Sequence, residues 1–444
     1  MNRLALLAAV LASLAACTDP SAVSPRRPSA QAVSAPNPAD AIDLGTLGGN
    51  STTPRALNNG GQVVGTSVAA DGQAHPFVWE AGTMRELPLL PGTRPGFPFP
   101  EIGGDAQAIS NTGLIAGLSY NRYDARLVLW DRLWDSAGVH DLAAPTAYGL
   151  PISRSARVIR ITDEGDILAT VVLHDGPPPM SYPVLWQGGI AQRLPALYAW
   201  DQRYTAAAMN NRGQVIGAAA SAYGYEGDLY RHPVLWTDRA IQDLGVLRAG
   251  GDTPSCYDPI YHPDGFCSDG TATDINERGD VVGYVTDTTH LVRPFLWRDG
   301  QLGDLGVLPG MNAFAIASNE RGQVAGYGGG RLASCEGGEG FVWQDGQAQL
   351  LGSLGGGGTV VVAMNQRGEI VGSSLTAAGE RHAFVWSDGV MTDLGLGPQG
   401  GAASIAIAVN ARGDVLGASG TPLYPRSPDL SATSPSRGIL WPRH

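Results

Sequence analysis

The chain has 444 residues, with 29 basic and 41 acidic side chains and a formal charge of −12. All the basic residues are Arg, and the absence of Lys excludes Schiff-base chemistry, Walker-type phosphate loops and any mechanism that needs a side-chain amine. The acidic balance argues against a protein that reads a nucleic-acid backbone, so no nucleic-acid partner is expected. The 61 Gly and 31 Pro are incompatible with a helical fold, because an interior Gly costs about 1 kcal/mol and an interior Pro about 3. A hydrophobic content of 43%, with ten Trp, still supplies a core. A turn-rich β protein remains.

At the start, Asn2-Arg3 precedes an apolar run from Leu4 that ends in Leu14-Ala15-Ala16-Cys17. A charged stretch, an apolar stretch and small residues before a Cys form a secretory signal. The run falls short of the roughly 20 apolar residues that span a bilayer. Leu-Ala-Ala-Cys resembles the lipobox of bacterial lipoproteins. The resemblance implies that residues 1–16 are a signal peptide and that Cys17 is acylated and anchors the protein; an ordinary signal cut after Ala16 is the alternative. Thr18, where an Asp would signal inner-membrane retention, favours the outer membrane of a Gram-negative cell. Residues 17–40 are rich in Ser, Pro and Ala and read as a tether.

From residue 41 onward a short block recurs, as in Leu57-Asn58 to Gly61-Gln62-Val63-Val64-Gly65 and Met209-Asn210 to Gly213-Gln214-Val215-Ile216-Gly217. It returns at Asn276/Gly279, Asn319/Gly322, Asn365/Gly368 and Asn410/Gly413, with degenerate copies at Ser110/Gly113 and Thr162/Gly165. A Trp follows each copy: Trp79, Trp130, Trp186, Trp236, Trp297, Trp343, Trp386 and Trp441. Most are followed by a turn and an Asp-Leu pair, as at Asp141-Leu142, Asp243-Leu244, Asp304-Leu305 and Asp393-Leu394.

Each unit reads as four short strands: a ends at the Asn, b is the Gln-Val-Val-Gly run, c ends in Trp, and d holds the Leu. The Asn-x-x-Gly between a and b suits a type I turn followed by a Gly with positive φ, braced by the Asn side chain. Small residues in strand a (Ala206 to Ala208, Ala313, Ala315, Ala406, Ala408) suit an innermost strand crowded about an axis. Eight such units predict an all-β fold, an eight-bladed β-propeller of four-stranded blades over residues 41–444. A d-like segment, Ala41 to Gly45, precedes the first a strand, while the last unit has no d strand after Trp441. Pairing the N-terminal strand with the C-terminal unit would close the ring and remove exposed edges. An open solenoid and seven blades with one unit outside the ring are the alternatives.

His382-Ala383-Phe384, His75-Pro76-Phe77, the opening Asp43-Leu44-Gly45-Thr46-Leu47-Gly48-Gly49 and the Asn-x-x-Gly-Gln-Val-Val-Gly block resemble the bacterial HAF repeat family, with units 2 and 3 the poorest matches. That resemblance implies an exported repeat protein and leaves its biochemical role open.

In a propeller the d–a and b–c connections share one face, and here they carry most of the length variation. Residues 88–104 hold Phe97 and Phe99, residues 248–271 hold Tyr257, Tyr261 and His262, residues 218–231 hold Tyr223, Tyr225 and Tyr230, and residues 418–437 form another b–c loop. All fourteen Tyr fall in d–a or b–c segments or at the strand ends beside them. Tyr joins an apolar face to a polar tip, so this face is expected to bind a protein or a glycan; capping of the blade ends by Tyr is the alternative.

No nucleophile elbow, zinc helix or C-x-x-C pair is present, so no catalytic residue, cofactor or metal is expected. His75, His232 and His382 are repeat-equivalent and read as structural. Asp274 to Asp280 only loosely resembles a calcium loop, since the closing bidentate Glu is missing.

The expected role is that of a lipid-anchored binding or scaffold module. One alternative is a glycan hydrolase or lyase using paired carboxylates drawn from Glu101, Asp105, Glu226, Asp228, Asp258 and Asp264; another is a structural envelope component without a discrete ligand. In an oxidising compartment, Cys256 and Cys267 bracket the longest loop and are expected to form a disulfide worth about 2–3 kcal/mol, with Cys335 as the competing partner. Non-reducing peptide mapping should recover a Cys256–Cys267 peptide; a linkage through Cys335 overturns the pairing.

Overall fold

The computed structural model describes residues 35–91, 100–132, 138–143, 152–173, 181–198, 204–223, 229–247, 269–287, 291–329, 338–420 and 436–443, without side chains for 221–223 and 229–230. Among the described residues there are 32 strands, and the single helical element is a 3-10 turn at Pro38–Asp40. The strands form eight antiparallel blades, with the innermost strands at Gly48–Leu57, Gly103–Ile109, Arg157–Ile161, Thr205–Met209, Gly270–Ile275, Ala313–Ser318, Gly355–Met364 and Ala403–Val409. Blades 1 to 6 are separate four-stranded sheets, while blades 7 and 8 join through a parallel bridge between Arg381 and Ala403.

Each inner strand packs against that of the next blade, and the eighth against the first, so the array is a closed ring. Ile42 and Asp43 pair with Leu440 and Ile439 and supply the missing d strand of blade 8. Leu44 adds a backbone bond, its N–H donating to the Gly438 carbonyl at 3.0 Å. The Leu44 side chain packs in one cluster with Leu416 and Leu440 of blade 8 and Phe77 and Trp79 of blade 1. Eight closed blades are therefore found, and the open and seven-bladed arrangements are excluded.

The a–b turn has the expected geometry and a further use. In blade 1 the Gly61 N–H donates to the Asn58 carbonyl at 3.1 Å, Gly61 has φ of 83°, and the Gln62 N–H donates to Asn58 Oδ1 at 2.9 Å. The same carboxamide then crosses to the next blade, Asn58 Nδ2 donating to the Ser110 carbonyl at 3.0 Å. The relay repeats from Asn210 to Asn276, Asn276 to Asn319, Asn319 to Asn365, Asn365 to Asn410, and across the closure from Asn410 to Asn58. These Asn side chains are buried, where an unpaired polar group would cost about 1–3 kcal/mol.

A second device recurs in all eight inner strands. The a–b register slips by one residue at a β-bulge, at Pro54/Ala56, Ala106/Ala108, Val158/Arg160, Ala206/Ala208, Ala272/Asp274, Ala315/Ala317, Val361/Ala363 and Ala406/Ala408. Opposite the bulge, strand b carries Gly in seven blades and Ala169 in blade 3. The bulge pushes the a-strand backbone toward strand b, so a Cβ on Gly372 would run into the Val360 carbonyl. The last residue of the Gln-Val-Val-Gly motif is thus set by sterics across the sheet.

Neighbouring blades also share their Trp. The indole N–H of Trp130, Trp186, Trp236 and Trp441 donates to the carbonyls of Pro88, Leu142, Pro195 and Leu394 in the preceding blade, at 2.7 to 2.9 Å. The repeated Asp accepts the N–H two residues on, as with Asp243 and Gly245 at 2.8 Å and Asp393 and Gly395 at 2.7 Å. In blades 2, 4 and 5 strand d ends one residue earlier than expected, at Asp141, Asp243 and Asp304, although the following Leu N–H still donates to strand c, at the Leu127, Pro233 and Pro294 carbonyls. A second correction concerns the predicted 218–231 loop. Its flanks pair as strands, Ala220 with Arg231 and Tyr223 with Leu229, because the Ala-rich stretch continues the ladder; only residues 224–228 lie between the strands.

Asn410→Ala removes the bond to the Asn58 carbonyl and the Oδ1 that accepts the N–H groups of Arg412, Gly413 and Asp414. It should cost at least about 2 kcal/mol in urea unfolding. Asn59→Ala, which loses one exposed bond from Ala411, should stay within about 0.5 kcal/mol. Equal midpoints for the two variants would show that the relay carries no weight.

Candidate functional site

Most residues expected at the binding face lie outside the described residues: Phe97, Phe99, Tyr225, Tyr257, Tyr261, Cys256 and Cys267, as well as Cys17, Cys335, His262, Glu226, Asp228, Asp258 and Asp264. Tyr223 ends strand b of blade 4 and Tyr230 lies in its strand c, with side chains outside the described set. Among the other Tyr, Tyr182 and Tyr204 are buried plugs of blades 3 and 4, the capping role, whereas Tyr123 and Tyr198 are exposed.

The described site is a cavity of about 1490 Å³ inside the ring. Its wall is the inner strands of blades 1, 2 and 3, and blades 4, 7 and 8 add turn residues such as Asn211, Gln366 and Ala411. The lining runs from these a–b turns to Asn50, Ala74, Tyr120 and Ser153 at the d–a/b–c end, so the cavity extends along the ring between the two faces.

The bulges set what this wall presents. The extra residue is Ile159, Ala207, Thr273, Ile316, Val362 or Ile407 in blades 3 to 8, but Arg55 in blade 1 and Gln107 in blade 2. Arg55 pairs with Asp105 at 3.1 Å, and Asp105 also accepts from Thr66 Oγ1 and from Gln107 Nε2 at 3.0 Å. Gln107 Oε1 in turn accepts the Val158 N–H at 2.6 Å, which completes a polar rail across three blades. Further along the wall, Arg154 lies over the Tyr120 ring at 4.5 Å and its Nε donates to the Asn121 carbonyl at 3.0 Å. Arg160 donates to Asn211 Oδ1 at 3.3 Å and bridges blades 3 and 4, where Thr162 makes no amide relay.

Four Arg (55, 154, 157 and 160) and two Asp (105 and 163) line the cavity, an excess of two positive charges in a chain whose formal charge is −12. Asp105 is saturated by its donors, and Asp163 accepts the backbone and side-chain N–H groups of Asn111 at 2.7 and 3.2 Å. Burial pushes the Tyr120 phenol up, with the Asp105 charge adding to it. Residues 154–160 fall in one of the poorest repeat copies, and the signal for this site was the departure from the repeat itself.

The remaining candidates resolve into struts. His75, His232 and His382 each meet the acid that closes strand d: Glu86 at 2.5 Å, Asp243 at 2.8 Å and Asp393 at 3.0 Å. Arg126 and Arg293 stand at the same position in blades 2 and 5, facing Asp141 and Asp304. In the calcium-like turn, Asp280 is engaged by Arg298 and Asn276, both at 2.9 Å. Among the described residues, no group of three or more His, Cys, Asp or Glu is placed to hold a metal. Of the two described carboxylates in the enzyme set, Asp105 lines the cavity and Glu101 does not. Burial pushes the Glu101 carboxyl up, and Arg126 pairs with it at 2.7 Å.

No known family profile matches the chain, and no curated protein is significantly similar to it. Among solved structures, dipeptidyl peptidase 4 of Porphyromonas gingivalis is similar with a TM-score of 0.51 and 10% identity, over 85% of this chain and 56% of that one. A prolyl endopeptidase is similar at 0.49 and 9%, over 78% and 50%. The oligogalacturonate lyase of Vibrio parahaemolyticus is similar at 0.47 and 9%, over 79% and 98%. The chain spans about half the length of the peptidases, and at these identities the likeness is one of fold alone.

Asp274, on the inner strand of blade 5 outside the cavity, offers a test of the electrostatics of the inner strands. Burial pushes its carboxyl up, against hydrogen bonds from the Ser318 N–H at 2.7 Å and Oγ at 3.1 Å. A carboxyl raised on folding leaves its contribution intact below the unfolded pKa and loses it as pH rises through the folded one. Asp274→Asn does not titrate, so its stability relative to the parent protein should improve as pH is raised from about 4 to about 7. Urea midpoints at both pH values check this; a gap independent of pH would contradict it.

Proposed function

We propose that the chain is a HAF-repeat propeller exported to the outer membrane, held there through a lipid on Cys17, and acting as a non-enzymatic module that binds a protein or glycan at its d–a/b–c face. The observation that carries this reading is the cavity that reaches that face, walled by the inner strands of blades 1 to 3, two of which are the poorest copies of the repeat. Its described carboxylates act as cross-blade struts, Asp105 saturated by Arg55, Thr66 and Gln107, which suits holding a ligand better than proton transfer. The aromatic residues Tyr223, Tyr225, Tyr230, Tyr257, Tyr261, Phe97 and Phe99 belong to the loops around the same face.

Affinity capture from envelope extract, alongside a glycan array, should retain a specific partner on the mature protein. Replacing Tyr223, Tyr225, Tyr257 and Tyr261 together by Ala should abolish that capture while leaving the unfolding midpoint in place, and Cys17→Ser should move the protein out of the membrane fraction. Undiminished capture by the Tyr variant, or membrane retention of the Cys17 variant, would overturn the corresponding part of the proposal.

A further inference from the structure

We infer that the cavity beside blades 1 to 3 is a binding site for an acidic oligosaccharide, a run of hydroxyl-rich sugars bearing carboxylates. The inference rests on the binding reading above and gives it a ligand class.

Exceptions to the repeat gather in blades 1 to 3, whose inner strands form this wall. Ser110 and Thr162 stand where the other blades have Asn, Ala169 stands where they have Gly, and the bulge residues are polar at Arg55 and Gln107. Of these positions Arg55, Gln107 and Ser110 line the cavity, while Thr162 and Ala169 are buried in blade 3 beside it.

The chemistry on offer is that of a planar anion. Every cation here is Arg, whose guanidinium forks match carboxylates in a bidentate way. Three of them are held in place before any ligand arrives: Arg55 by Asp105, Arg154 by Tyr120 and the Asn121 carbonyl, and Arg160 by Asn211. Such preorganisation reduces the ordering cost of binding. A positive wall inside an acidic ring also focuses the field on the cavity.

Half-buried Leu57, Ile109, Ile159 and Val409 give the lining apolar surface for the faces of sugar rings, and most of its exposed residues are polar. Leu118, Val158 and Ile161 of the wall are buried within the blades. The exposed lining residues include Asn50, Ser155 and Asn211 beside Arg154 and Arg157. Hydroxyls and amides arranged among guanidinium groups meet the hydroxyls and carboxylates of a uronate chain. The volume, about 1490 Å³, exceeds the roughly 300–1,000 Å³ of an ordinary small-molecule pocket and leaves room for several linked residues.

Calorimetric titration of the mature full-length protein with tetragalacturonate, and with neutral maltotetraose as the control, tests the inference. Tetragalacturonate should bind, more weakly as salt is raised, and maltotetraose should not. Arg157→Gln with Arg160→Gln should weaken binding about tenfold or more. Arg154→Gln, which leaves the Arg160 bridge between blades intact, should weaken it in the same direction, and Arg85→Gln on the outer strand of blade 1 should leave it unchanged. Absence of binding by the parent protein, or full affinity in both cavity variants at an unchanged unfolding midpoint, overturns the inference. If envelope capture persists in either case, the broader binding reading stands without it. Conversion of the probe to an unsaturated uronate product would uphold the site and overturn the non-enzymatic reading.

Discussion

One side chain, the carboxamide that closes six of the eight a–b turns, ties most neighbouring blades together. A carboxamide both accepts and donates, so Asn58 can hold its own turn through Oδ1 and reach the next blade through Nδ2. A hydroxyl does only half of this. Ser110 and Thr162 accept the turn N–H groups of Leu114 and Asp166 at 3.1 and 3.0 Å, but the cross-blade relays run from the six Asn. At the junctions where Asn is absent, other contacts have moved in: Gln107 to the Val158 N–H between blades 2 and 3, and Arg160 to Asn211 between blades 3 and 4. The largest apolar cluster, running from Ala108 to Trp236, spans the same three blades. Where the polar relay lapses, the core thickens.

Much of the fold could be read from residue spacing. The relay joins residues 52, 66, 43, 46 and 45 positions apart, the same intervals that separate the turn glycines in the sequence. A leading d strand without a blade and a last blade without a d strand identified the closure. The bulge was not legible, because a register slip leaves no mark on the slipping strand; its trace is the Gly opposite, which one strand read alone cannot explain. The cavity was missed for a related reason. Repeat reading rewards similarity, and the informative residues at Ser110, Thr162 and Arg154 to Arg160 are those that fail to repeat.

The reading of Tyr as a binding residue had the opposite weakness. Position next to a variable loop does not separate a side chain that faces outward from one that seals a blade. Tyr182 and Tyr204 show the difference: both are buried, with Arg193 lying over their rings at 4.3 and 5.5 Å. Alternating oxygens likewise did not make a calcium loop, since Arg298 reaches Asp280 from strand c of the same blade. In each case a distant residue in the fold decided the role of a locally suggestive pattern.

The closing strand also orders events in time. Ile42 and Asp43 are near the front of the chain, and their partners Ile439 and Leu440 are almost at its end. In synthesis from the N-terminus, the piece that fastens the ring is made early and engages last. The intervening blades can pack against their neighbours in turn, but blade 1 keeps an unmatched flank until blade 8 has formed. Contacts that span so much of the chain make closure slow relative to the assembly of single blades, and the interval before closure is when an escort protein or a premature cut would have its greatest effect.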